Sequence, residues 1–164
     1  MPTVTWARVD PARRAAIIEA AEAEFGAHGF SRGSLNVIAR RAGVAKGSLF
    51  QYFADKRDLY AFIADVASQR VRAYVEGIIR ELDPHRPFFE FLTDLLDAWV
   101  AYYAEHPRER SLHAAATLEV DTDARISVRN VIHRLHHIRL IHRTFETSTR
   151  AANQQQSPII RRQK

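Results

Sequence analysis

Lys46, Gly47, Ser48, Gln51 and Tyr52 fall within seven consecutive residues, and their side chains, or the bare backbone of the glycine, can donate to phosphate oxygens or approach base edges. That chemistry needs a rigid element holding all five on one face. The stretch Ser34–Phe53, SLNVIARRAGVAKGSLFQYF, predicts one. Leu35, Ile38, Ala39 and Ala42 share the inward face of a first helix, which Ser34 is placed to cap through its side-chain oxygen. Gly43 ends that helix, since glycine enters the left-handed region without a Cβ clash. Val44 and Leu49 are apolar again, so a second helix, from Ala45 or Lys46 to Tyr52, packs back across the first. A small residue at 39, glycine four positions on and an apolar residue six beyond that is helix-turn-helix spacing. The plainer reading, a helical hairpin whose polar side is only solvated, stays open on this stretch alone.

The flanks predict what positions the pair. Residues 1–9 read as a loose arm. Asp10 caps a helix with Pro11 at its first position, Ile17, Ala20, Ala21 and Phe25 recur at helical spacing, and Gly29 stops it after about His28. Beyond Phe53 an apolar residue returns nearly every turn from about Asp55 to Leu82, at Leu59, Phe62, Ile63, Val66, Val71, Val75, Ile78 and Ile79, with Pro84 as the stop. A helix of that length spans about 40 Å and can join a small head to a larger body. Its first turn carries Lys56 and Arg57, the sign the helix dipole disfavours there. A facing phosphate would explain them; two solvated charges serve equally well.

Residues 87–106 predict a further helix, ended by Pro107, with Phe88, Leu92, Leu95, Leu96, Trp99, Val100 and Tyr103 on one broad face and Phe89, Phe91 and Tyr102 beside it. Such a stripe is usually core. It is also how a pocket for a flat or apolar small molecule is built, with Phe89, Trp99, Tyr103 and His113 as its candidate lining, the last on a short helix over 110–119. Asp121 and Asp123 offer a cap for a helix over 124–143, which carries His133, His136, His137 and His142. The pair His133/His137 could face one way, but no carboxylate or cysteine stands at fitting spacing, and no metal or cofactor is expected. A glycine-rich phosphate loop, HExxH and GxSxG are all missing, so catalysis has nothing local to stand on.

Composition agrees. The 164 residues are 46% hydrophobic, enough for a real core, and contain no cysteine, which excludes disulfides and thiol chemistry and fits a cytoplasmic setting. No apolar run approaches a membrane span. The net charge of +5 is uneven: residues 1–58 hold nine Lys/Arg against six Asp/Glu, residues 59–142 ten against twelve, and residues 143–164 five against one. A basic end suits a polyanionic partner.

Ala20-Ala21, Phe25, Gly29-Phe30, Ser34, Ile38-Ala39, Ala42-Gly43-Val44, Lys46 to Phe50, Tyr52-Phe53, Lys56 and Leu59 together resemble the tetracycline-repressor-like (TetR/AcrR) family of bacterial transcription regulators, over about a third of the chain. The resemblance implies an all-α protein: a three-helix DNA-binding head over 1–55 and a long connecting helix opening a ligand-binding and dimerisation body over 56–143; residues 144–164, where the apolar pattern dissolves, read as a disordered basic tail. It implies a homodimer on a palindromic double-stranded operator, repression relieved by a small-molecule effector, and no enzymatic activity. Carried across, Ser34 touches phosphate, Lys46, Gly47, Ser48 and Leu49 face the groove, Gln51 reads a base edge, and Tyr52 and Lys56 hold phosphates. Phe50 stands where the family usually has tyrosine, and Val37 where it is commonly polar. Helical periodicity fades near Arg143, where members of the family continue into helices that pair across the dimer. A truncated or frame-shifted end is therefore expected, which leaves a second reading: a small-ligand-binding helical protein that has lost productive DNA binding.

Overall fold

The computed structural model describes residues 2–83, 87–126 and 128. Every element in the order is helical: α1 (Val4–Ala7), α2 (Pro11–Arg32), α3 (Leu35–Arg41), α4 (Lys46–Tyr52), α5 (Lys56–Glu81), α6 (Phe88–Glu105) and α7 (Pro107–Thr117).

Local chemistry sets most boundaries. The Asp10 carboxylate accepts from the Arg13 N–H at 3.1 Å, and Pro11 occupies the first helical position of α2. Gly29, at φ 67°, breaks α2 where the sequence predicts, although one more turn follows to Arg32. Gly33 then passes so close to that turn that a Cβ would lie 2.7 Å from both the Gly29 carbonyl oxygen and the Phe25 ring. At the head of α5, Asp55 accepts from the Asp58 N–H at 2.7 Å while Asp58 accepts from the Ala54 N–H at 3.2 Å, a near-reciprocal cap.

Two expectations fail. The arm expected over 1–9 is not loose across its described residues 2–9: Val4–Ala7 form a helical turn, and buried Trp6 packs its ring against Tyr52, Phe53 and Phe62 at 5.7, 5.0 and 5.5 Å. The buried stripe of α6 is Phe91, Leu95 and Tyr102, whereas Leu96, Trp99 and Val100, placed on the inward face by the sequence, are exposed. Among the described residues α6 packs chiefly against α5 and α7, so one flank is covered, while Leu96, Trp99 and Val100 are left exposed. Pro107 ends α6 but also opens α7, three residues earlier than the sequence suggests, as proline at a first helical position allows.

The core falls into two clusters. The first gathers Ile17, Phe25, Ile38, Leu49, Phe53, Leu59, Tyr60 and Ile63, and takes Leu112, Ala116, Ala124 and Val128 from further along the chain. The second pairs Val71, Val75 and Ile79 of α5 with Phe91, Leu95 and Tyr102 of α6. Asp121 caps the helical turn over 122–126, its carboxylate accepting from the Ala124 N–H at 2.8 Å. The rest of the expected helix to 143, with His133, His136, His137 and His142, lies outside the described residues, as do Pro84, the tail over 144–164 and the expectation of a truncated end.

Candidate nucleic-acid interface

The turn between α3 and α4 follows from one glycine. Gly43 sits at φ 67°, its N–H donates to the Arg40 carbonyl at 3.3 Å, and the Val44 N–H donates to the Ala39 carbonyl at 3.0 Å. This double closure satisfies two orphan carbonyls of α3 and aims the chain into α4. Ser34 stands at the N-cap position of α3, yet its side chain makes no capping bond. Its backbone N–H instead donates to the Glu24 carboxylate at 3.0 Å, and the same buried carboxylate lies 3.7 Å from the Arg41 guanidinium. A carboxylate of α2 therefore ties down both ends of α3, which corrects the expected serine cap.

On α4, Leu49 is 2% and Tyr52 7% exposed, and both belong to the first core cluster. Three residues apart, they share one side of the helix. Lys46, Gly47, Phe50 and Gln51 are exposed and Ser48 is half-buried. The sequence put Tyr52 on the outward face, and the structure turns it inward, because Trp6 covers its ring; Leu49, inward by its apolar spacing but carried toward the groove by the resemblance, is buried. The amino-terminal segment also holds the end of α4. The Thr3 N–H donates to the Tyr52 carbonyl at 2.8 Å and the Thr3 hydroxyl to the Gln51 carbonyl at 2.7 Å. Sequence reasoning missed Thr3 and Trp6; the one available signal was a tryptophan in a segment read as loose.

Lys56 is half-buried, its ammonium 3.3 Å from the Ser31 carbonyl oxygen and 4.7 Å from the centre of the Phe30 ring. Burial pulls its pKa down, against the nearby carboxylates of Glu119, Asp121 and Glu24. Arg57 pairs with Asp123 at 3.4 Å. Glu119 fastens the chain after α7 to the break in α2: it accepts from the Phe30 N–H at 2.7 Å, the Ser31 hydroxyl at 2.8 Å and the Asp121 N–H at 3.1 Å. Burial alone would raise its pKa; the Asp121, Ser31 and Phe30 donors outweigh it and hold the carboxyl below its usual range.

The candidate small-molecule residues are only partly brought together. Tyr103 Oη lies 2.7 Å from His113 Nδ1, Ser68 Oγ lies 3.4 Å from His113 Nε2, and the Trp99 ring stacks on Tyr103 at 6.4 Å. Burial pushes the His113 pKa down, against the pull of Glu109. Phe89 is 77% exposed and some 21 Å along α6 from Tyr103 at 1.5 Å per residue, so it does not join the cluster. A concavity of ≈ 740 Å³ opens elsewhere, between Trp6, Ile18 and Phe62 on one side and Arg14 and the Arg70–Glu22–Glu109 network on the other. Among the described residues no three His, Cys, Asp or Glu side chains group as metal ligands, and no helix is long and apolar enough to cross a membrane.

Known proteins share this arrangement. The family described as bacterial regulatory proteins, tetR family, matches residues 17–62. The HTH-type transcriptional regulator BetI of Agrobacterium fabrum is 29% identical over 61% of this chain and 54% of its own length. A TetR family transcriptional regulator of Chloroflexus aurantiacus superposes with a TM-score of 0.62 at 28% identity, over 81% of this chain and 60% of that one. The fatty acid degradation regulator FadR of Bacillus halodurans shares the fold, with a TM-score of 0.68 at 21% identity over 85% of this chain and 71% of that one. This chain spans about half the length of the curated relatives it matches. The match to the tetR family of bacterial regulatory proteins runs from Ile17 through α3, Gly43 and α4 to Phe62, and the fold is shared beyond it.

Proposed function

We propose that this chain is a sequence-specific DNA-binding transcription regulator, a repressor that occludes its operator and is released by a small molecule. The observation that carries this reading is the outward strip of α4: Lys46, Gly47, Phe50 and Gln51 project from a helix whose other side, Leu49 and Tyr52, is sunk in the core. A helix anchored in this way can enter a major groove without losing its shape. Lys46 supplies the phosphate-directed charge and Gln51 a donor and acceptor for a base edge. The relative named as an HTH-type transcriptional regulator supports the same reading. Ser34 and Lys56 flank the strip as candidate phosphate contacts. Two copies of the chain bind half-sites about 34 Å apart on a palindrome. The Trp99, Tyr103 and His113 cluster is the proposed effector-sensing region.

Gel-shift and footprinting on DNA flanking the chain's own gene test the proposal. A protected palindrome is expected, with Lys46→Ala weakening binding uniformly across sequences if it holds a phosphate. Light scattering of the complex should give two chains per duplex. A folded chain that shifts no DNA at low salt overturns the reading.

A further inference from the structure

The ≈ 740 Å³ concavity beside Trp6 is lined by neither Tyr103 nor His113. It falls within the size of clefts that hold small molecules, about 300–1,000 Å³. One wall is apolar: the buried ring of Trp6, half-buried Ile18 and Phe62, and Ala15. The other is ionic, and its charges do not cancel pairwise. Arg70 engages Glu22 at 2.6 Å and Glu109 at 3.1 Å, and exposed Arg108 pairs with Glu19. Every carboxylate on the lining therefore already has a guanidinium. Arg14 has no counterpart: it is half-buried on the same lining, and among the described residues no carboxylate pairs with it.

On α2, Arg14, Ala15, Ile18 and Glu22 recur at helical spacing and form one stripe, with its cation toward the amino-terminal end. Arg14 and Glu22 stand about 12 Å apart along the helix rise, beyond the Debye length of about 8 Å at physiological salt. An anion at Arg14 is thus screened from the carboxylates that Arg70 holds, while its apolar part meets Trp6, Ile18 and Phe62. A cation gains nothing comparable, because each lining carboxylate is already engaged.

We infer that this groove is a binding site for a small organic monoanion, a carboxylate on an apolar body, with Arg14 receiving the charge and Trp6, Ile18 and Phe62 forming the apolar bed. The site stands whether or not the chain reads DNA. It reaches α4 through one side chain, since the Trp6 ring also packs on Tyr52 and Phe53.

Calorimetric titration of the full chain with octanoate, 1-octanol and octyltrimethylammonium tests the site. Octanoate should bind about tenfold more tightly than either of the others, the worth of a charge-assisted contact. Acetate, with the charge but no apolar body, should not bind at the same concentrations. Arg14→Ala should weaken octanoate about tenfold and leave the melting temperature of the free chain unchanged, and Arg14→Lys should restore part of the affinity. Arg13→Ala, an exposed neighbour off the lining, should change nothing. Ala15→Phe fills the groove from an exposed position and should abolish binding. Equal affinity for the three octyl probes, a preference for the ammonium, or no octanoate binding by folded protein at millimolar concentration overturns the inference. Octanoate binding undiminished in both Arg14→Ala and Ala15→Phe puts the anion elsewhere on the chain and overturns it too.

Discussion

Alanine carries about 1 kcal/mol more helix propensity than glycine, and position 47 has open space for a methyl group. Gly47→Ala should therefore raise stability by about 0.5–1 kcal/mol, seen as a higher urea midpoint at unchanged slope, while weakening DNA binding severalfold. A variant that gains stability and keeps full affinity would show that DNA does not approach α4 at 47 closely enough to meet a methyl group. The outward positions of Lys46, Gly47 and Gln51 were legible from spacing alone. Tyr52 was not: α4 has seven residues, too few turns for periodicity to place a tyrosine, which is apolar in its ring and polar at its tip. Its side was decided by Trp6, a contact 46 positions away in sequence. Ser34 had the right residue type for a cap, but the Glu24 carboxylate had already engaged its N–H, and no local pattern announces a partner ten residues back.

Helix boundaries from α2 to α5 were readable because caps, a proline and left-handed glycines mark them in the sequence itself. The buried flank of α6 was not, since apolar spacing defines a stripe but not which side of it meets a neighbour. The short α1 was missed because one helical turn has no period, and only its packing keeps it. Trp6→Ala should cost about 3 kcal/mol by emptying the space against Tyr52, Phe53 and Phe62. It should also weaken DNA binding more than Val4→Ala, an exposed change in the same turn. The connection between α7 and the α2 break predicts a pH effect. Glu119 is held below its ordinary carboxyl pKa, so its stabilisation is present above the unfolded value near 4.5 and is lost as pH falls through the lower, folded value. Glu119→Gln should be less stable than wild type at neutral pH, and the two denaturation midpoints should converge as the solution is acidified below that range.

Across the whole molecule, the resemblance implied a head boundary near residue 55, while the first core cluster continues past it. Leu59, Tyr60 and Ile63 of α5, together with Leu112 and Ala116 of α7, close over Ile17, Ile38 and Leu49. A fragment of residues 2–55 leaves that apolar surface open to water, and should show little helical circular dichroism alone, whereas the full chain should melt its head and α7 in one transition. A fragment that folds independently would place the division where the resemblance did. The all-helical architecture was legible from composition and periodicity, but the sharing of one core by distant segments has no one-dimensional signature. The two tryptophans of the chain are divided across this arrangement: Trp6 is shielded beneath the end of α4 and Trp99 is partly exposed on α6. Intrinsic fluorescence therefore comes from two environments, a sheltered emitter at the proposed DNA-reading end and a wetter one beside the Tyr103–His113 pair. A single emission spectrum can report events at both ends without any added label.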